Sequence, residues 1–182
     1  MSTSLHKKDA PKNIRVAVVS VSTTRTLADD ASGIWIKQQA KKEGHEVVLH
    51  QVVNDDIKAI HALIEELVYK VEPHAILMTG GTGVSPRDVT IEAVSPLFHK
   101  HLTAFGPLFA QLSFEEIDSA AIMSRAAAGI INNVIIFCMP GSLKACKLAC
   151  NALIFPELGH LVKHVSESPL DPRTPGNHLQ LT

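Results

Sequence analysis

Apolar residues recur along this chain at two spacings, one that suits strands and one that suits helices. Ile14-Arg-Val-Ala-Val-Val-Ser-Val-Ser22 is a β-branched run of strand length, which predicts a central strand buried on both faces. Asp29 and Asp30 then offer N-caps for a helix reaching about Glu43, with Ile34, Ile36 and Ala40 among its apolar positions and Gly44 as its stop. Glu46 to Val53 reads as a second strand. Beyond it Ile57, Ile60, Ile64, Leu67, Val68 and Val71 return at helical spacing, with Asp55 or Asp56 at the cap and Pro73 just past the end. Ala75 to Met78 is a short apolar third strand, residues from about Thr90 to Ser124 read as largely helical, and Val134 to Met139 reads as a fourth core strand. Pro140-Gly141-Ser142 leads into a last helix through about Asn151. Alternation of this kind predicts an α/β fold of three layers, a mainly parallel sheet covered by helices on both faces.

Composition narrows the setting. The 182 residues are 46% hydrophobic and 19% charged, with a formal net charge of −1, so the chain has the makings of one packed domain and no electrostatic argument for nucleic acid or an acidic membrane. Without a secretory apolar core or a run long enough to span a bilayer, the expected location is cytoplasmic. Three cysteines, Cys138, Cys146 and Cys150, in apolar surroundings fit reduced buried thiols. The domain is expected over residues 14–165, after a polar, loose segment of residues 1–13. It precedes a tail of residues 166–182 whose Pro169, Pro172, Pro175 and Gly176 resist regular structure. That tail is either disordered or an arm that wraps a neighbouring subunit.

Candidate chemistry concentrates after the third strand, in Thr79-Gly-Gly-Thr-Gly-Val-Ser-Pro-Arg-Asp88. Gly80, Gly81 and Gly83, with Thr82 among them, let backbone N–H groups approach an anion closely. Asp88 follows, and a carboxylate facing a phosphate calls for a cation between them, of which Mg²⁺ is the usual one. Taken alone, the loop is also compatible with a purely structural strand-to-helix turn. It is neither a P-loop nor a dinucleotide-binding GxGxxG. Ligands of open parallel sheets bind at the carboxyl ends of the strands. Four polar stretches fall at that rim here: Ser20 to Arg25, Asn54 to Asp56, Thr79 to Asp88, and Pro140 to Ser142.

Several ordered motifs carry a resemblance. Thr79-Gly-Gly-Thr-Gly83, Arg87-Asp88-Val-Thr90, Gly106 in Ala-Phe-Gly, Leu112-Ser-Phe-Glu-Glu-Ile117, Ser124-Arg-Ala126 and Met139-Pro-Gly-Ser142 with Lys144-Ala-Cys146 resemble the MoaB/MogA family of molybdenum cofactor biosynthesis, and most of all its B branch. The resemblance covers roughly residues 14 to 155. It implies binding of molybdopterin and, in active members, transfer of AMP from Mg-ATP to it. Asp55 and Asp88 are then the catalytic and Mg²⁺-binding pair, and Gly80, Gly81, Thr82 and Gly83 hold phosphate beside Arg87. Ser20, Ser124, Arg125, Pro140, Gly141 and Ser142 are further candidate contacts to pterin phosphate or nucleotide. A homo-oligomer, trimer or hexamer, is implied as well, together with association with other proteins of cofactor biosynthesis. The adenylylating branch tends to have Pro-Gly-Asn/Gln-Pro where this chain has Pro140-Gly141-Ser142-Leu143, which leaves a molybdopterin-binding carrier without turnover as the alternative.

Two further patterns have weaker readings. Cys146-x3-Cys150 and His160-x3-His164 echo a zinc-finger spacing, but on one continuous helix Cys150 and His160 stand about 15 Å apart, too far for one ion unless a break near Pro156 folds the pairs together. Residues 97–117 hold Leu97, Phe98, Leu102, Phe105, Leu108, Phe109, Leu112 and Phe114, more apolar surface than one helix needs, and are the candidate subunit interface.

Overall fold

A computed structural model describes residues 11–167. The looseness expected for residues 1–10 and the tail or arm expected for residues 168–182 lie outside the described residues.

Six strands form one sheet in the order β2-β1-β3-β6-β5-β4. β1 (Arg15–Val21) lies between β2 (Glu46–Val53) and β3 (Ala75–Thr79), and β3 pairs with β6 (Val134–Met139); these four are parallel. β5 (Ala127–Ile131) and the two-residue β4 (Lys100–His101) add an antiparallel edge. The sheet is buried on both faces because β1, β3 and β6 are apolar at successive positions, which point to opposite sides. Val16, Val18, Leu77, Ile135 and Phe137 pack on one side with α1 (Ala31–Lys42), α4 (Phe105–Ile117), α5 (Leu143–Ala149) and α6 (Phe155–Glu167). Ala17, Val19, Ile76, Met78, Ile136 and Cys138 pack on the other with α2 (Ile57–Glu66) and α3 (Thr90–Val94). The three-layer α/β architecture is therefore the one the alternation predicted.

Helix starts follow local chemistry. The Asp30 side chain accepts the Gly33 N–H and begins α1, and that of Asp56 accepts the Ala59 N–H and begins α2, which leaves Asp55 free of capping duty. α5 runs through one π-turn (Cys150–Ile154) into α6. There the Phe155 N–H reaches the Cys150 carbonyl, so Pro156, which has no N–H, continues the helix rather than folding it back. The Cys and His pairs thus stay on separate turns, with both cysteines buried.

The stretch from 90 to 124 departs from the expected helix. It breaks into α3, a 3₁₀ turn at Ser95–Leu97, β4, α4 and a second 3₁₀ segment at Asp118–Met123. Pro96 opens the first of these turns, and the His99 N–H pairs with the Ile130 carbonyl to attach the edge strand. β5, Ala-Ala-Gly-Ile-Ile, went unpredicted because its first three residues have little strand preference; the pairing with β6 across Asn132-Asn133 creates it. Among the described residues no helix is long and apolar enough to cross a membrane.

Candidate functional site

The loop leaving β3 is held in one shape. Gly80 and Gly81 have φ of +98° and +61°, and a Cβ on Gly80 would stand 2.3 Å from the Val21 carbonyl oxygen, so only glycine follows this path. The Thr90 hydroxyl and N–H donate to the carbonyls of Gly80 (2.8 Å) and Gly81 (2.9 Å). Arg125 Nε donates to those of Thr82 (2.9 Å) and Gly83 (3.0 Å). All four carbonyls from Gly80 to Gly83 are thereby hydrogen-bonded and the loop is pinned. A glycine-rich loop at a strand end is the kind of backbone whose N–H groups can receive an anion.

That loop forms one wall of a cleft of about 330 Å³ at the carboxyl end of the sheet, which Asp88 also lines. Ser22, Thr24 and Arg25 come from the end of β1, Pro140 and Gly141 from the end of β6, and Met123 and Ser124 from the segment before β5. A smaller hollow of about 90 Å³ shares Ser124 and Pro140 with it and adds Ser142 and Lys144, whose Nζ lies 3.1 Å from Glu116.

Two acidic side chains stand against the glycine loop. A Cβ on Gly81 would lie 2.7 Å from Asp55 Oδ1, and one on Gly83 would lie 2.8 Å from Asp88 Oδ2. Asp88 accepts the Ser85 N–H at 2.9 Å. Asp55 Oδ1 is buried with no hydrogen-bond partner, as is Thr82 Oγ1. Burial raises the Asp55 pKa against a hydrogen bond from the Thr23 backbone, and the charge of Asp88 raises it further. A buried carboxylate oxygen without a donor, next to a second carboxylate, suits a hard cation. Among the described residues no three His, Cys, Asp or Glu side chains converge, so a Mg²⁺ ion on Asp55 and Asp88 would complete its shell with water and phosphate oxygens.

The remaining candidates fall in different places. Gly80, Gly81, Thr82, Gly83, Ser124, Pro140 and Gly141 line the cleft. Ser20 does not: it is buried, and its hydroxyl donates to Asp30 at 2.6 Å. Arg87 is exposed and outside the lining. Arg125 clamps the loop, and its guanidinium also grips Glu92 at 2.6 and 3.2 Å. Ser142 caps α5 by accepting the Ala145 N–H. Arg25, Thr90 and Glu92 were not among the site residues expected from sequence, although Arg25 and Thr90 fall in stretches that it marked. Arg25 had a signal, as the charge in a polar stretch at a strand end, whereas Glu92 stands 33 positions from Arg125 and no local pattern links them.

Residues 17–160 match the family model described as "Probable molybdopterin binding domain". The chain is 44% identical over 166 residues to molybdenum cofactor biosynthesis protein B of Bacillus subtilis, covering 91% of this chain and 98% of that protein. It is 40% identical over 144 residues to the protein of the same name in Escherichia coli, covering 79% and 85%. The crystal structure of a molybdenum cofactor biosynthesis protein B superposes with a TM-score of 0.84 at 42% identity, covering 87% of this chain and 99% of the other. The tungsten cofactor synthesizing protein MoaB from Pyrococcus furiosus superposes with a TM-score of 0.78 at 35% identity, covering 86% and 99%. A family model that spans most of the length, and relatives this similar over nearly all of theirs, show that the chain belongs to the MoaB/MogA family of molybdopterin-binding-domain proteins.

Proposed function

We propose that this chain binds molybdopterin in the cleft and transfers AMP from Mg-ATP to the terminal phosphate of the pterin, releasing pyrophosphate. The observation that carries the reading is the unpartnered buried oxygen of Asp55, which with Asp88 stands against the glycine loop. Relatives named for molybdenum and tungsten cofactor synthesis support it.

The reaction asks for alignment more than for proton transfer. A phosphate monoester oxygen is ionised at neutral pH; it attacks the α-phosphorus of ATP, a new P–O bond forms, and the bond to the bridging oxygen breaks so that pyrophosphate leaves with its electron pair. The N–H groups of Gly81, Thr82 and Gly83 donate to phosphate oxygens, and Arg25, a cation in the lining, offsets their charge. Asp55 and Asp88 would hold Mg²⁺, which when bound neutralises charge on the triphosphate. Arg125, bonded to Glu92 and to two loop carbonyls, keeps the loop in register.

One observation favours a second reading, a carrier that binds molybdopterin without turnover. Ser142 Oγ accepts the Ala145 N–H and caps α5, at the place where adenylylating members tend to carry Asn or Gln followed by Pro. Anaerobic incubation with molybdopterin, ATP and Mg²⁺ separates the two: adenylylated pterin with matching pyrophosphate is the expected result, and bound but unmodified pterin selects the carrier. Absence of pterin binding would overturn both.

The same reading includes self-association as a trimer or hexamer. Phe105 and Phe109 are buried, but Leu108, Phe114, Ile117, Ile122 and Met123 are exposed along α4 and the turn after it. Met123 also lines the cleft, so a neighbouring subunit seated there would border the site.

A further inference from the structure

The cleft reading leaves unused a buried charged group behind its wall, in Asp30-Ala31-Ser32-Gly33. The Asp30 side chain is fully buried. Its carboxylate accepts the Ser20 hydroxyl of β1 (2.6 Å), the Gly33 N–H at the start of α1 (3.0 Å), and its Oδ2 stands 2.8 Å from His50 Nε2 of β2. Three elements therefore meet on one carboxylate. Gly33 makes room for the junction, since a Cβ there would stand 2.0 Å from Asp30 Oδ2, 2.5 Å from His50 Nε2 and 2.8 Å from Ser20 Oγ. Burial raises the Asp30 pKa, but the hydrogen bonds from Ser20, His50 and Gly33 more than offset this and leave it below the usual value.

The residue between this junction and the cleft is Ser32. It is buried in the first turn of α1, and its hydroxyl donates to the Gly141 carbonyl at 2.9 Å. Arg25 Nη1 donates to the same oxygen at 3.3 Å. Gly141 lies directly against the glycine loop, because a Cβ on it would stand 3.1 Å from Gly80 Cα. The start of α1 is thus the support on which the β6 wall of the cleft rests.

We propose that Ser32 is a positioning residue for the cleft: braced through Asp30 by Ser20 and His50, it holds the Gly141 carbonyl and so sets ligand affinity without touching the ligand. The inference rests on the reading that the cleft binds molybdopterin. Its first readout needs no ligand. Replacing Ser32→Ala removes the hydroxyl alone, and backbone amide exchange in the peptide of residues 139–145, followed by mass spectrometry, is expected to quicken about five- to tenfold, the equilibrium weight of one hydrogen bond. Exchange in β2 should not change. Trp35, the only tryptophan, lies beneath Lys147 Nζ, 5.8 Å from its ring centre; unchanged fluorescence would show that α1 and α5 keep their packing. Molybdopterin affinity is expected to weaken about tenfold in Ser32→Ala and to recover in Ser32→Thr. His50→Ala removes a brace from Asp30 and should quicken the same peptide, whereas His50→Gln, which retains an N–H donor, should restore it. Unchanged exchange at 139–145 in both Ser32→Ala and His50→Ala would overturn the proposal, and so would exchange that quickens uniformly over the whole chain. A quickened peptide in a protein that binds no molybdopterin, even as wild type, would uphold the support and overturn only the ligand reading.

Discussion

Replacing Asp55→Asn should make the ligand-free protein more stable and the loaded protein less capable. In the free chain Asp55 Oδ1 is buried without a donor, and the charge of Asp88 adds to the cost of ionising it. An unsatisfied buried polar group costs about 1–3 kcal/mol. Asp55 is only half-buried, and Asn removes the charge but keeps a polar atom there, so the substitution should return only part of that, about 1 kcal/mol, or about 2–4 °C in Tm for a domain of this size. The pH dependence has a definite sign. With its folded pKa raised, the native state binds more protons than the unfolded chain just above the ordinary carboxylate range, so wild-type stability falls as pH rises through that window. The advantage of Asp55→Asn should therefore be full above the window and vanish on acidification below it. Thermal unfolding in EDTA across pH measures this directly. A parallel Mg²⁺ titration should raise the wild-type Tm, by about 2.7 kcal/mol of stabilisation at a hundredfold excess over Kd, and leave the variant unmoved. If Asp55→Asn were less stable than wild type in EDTA, the carboxylate would be a structural acceptor and the metal argument would fail.

Other expectations follow from single contacts. Gly80→Ala should cost about 2–4 kcal/mol in urea unfolding, because φ is +98° and the new Cβ meets the Val21 carbonyl; an unshifted midpoint would contradict the described loop. All three cysteines are buried and the Cys138 thiol is pushed up to about 12 by burial, so a thiol reagent at pH 8 should titrate them only after unfolding. Labelling of the native protein at the rate of a free thiol would show that the core opens. If the proposed self-association runs through this face, Phe114→Ser with Ile122→Lys should lower the mass in solution, measured by light scattering, without lowering the helical signal; an unchanged mass would remove this face from the proposal.

How much of this was legible from sequence depended on distance along the chain. β1, β3 and β6 were visible because each is a nearly continuous apolar run, and β2 because Val47-Val-Leu49 and Val52-Val53 flank His50-Gln51; the caps were visible to within one residue, as Asp29 or Asp30 and Asp55 or Asp56, because capping is a matter of three residues. Thr79 to Gly83 stood out because the backbone path needs glycine, and the ends of parallel strands pointed to the remaining walls. β4 and β5 were not visible. Lys100-His101 has no pattern of its own, and Ala127-Ala-Gly129 becomes strand through its ladder with β6.

The division in the site has the same physical origin. Residue type and short spacing were enough to mark a glycine loop with acidic neighbours, since φ, Cβ volume and charge are properties of the residues themselves. Tertiary packing assigned each polar side chain its partner. It buried Ser20 against Asp30, put Arg125 on the loop carbonyls rather than in the lining, and left one oxygen of Asp55 without a donor. Those outcomes depend on which distant groups share a few cubic ångströms, and hydrogen bonds 33 or 109 positions apart along the chain, as between Arg125 and Glu92 or Ser32 and Gly141, exist only once the sheet has brought its strand ends together.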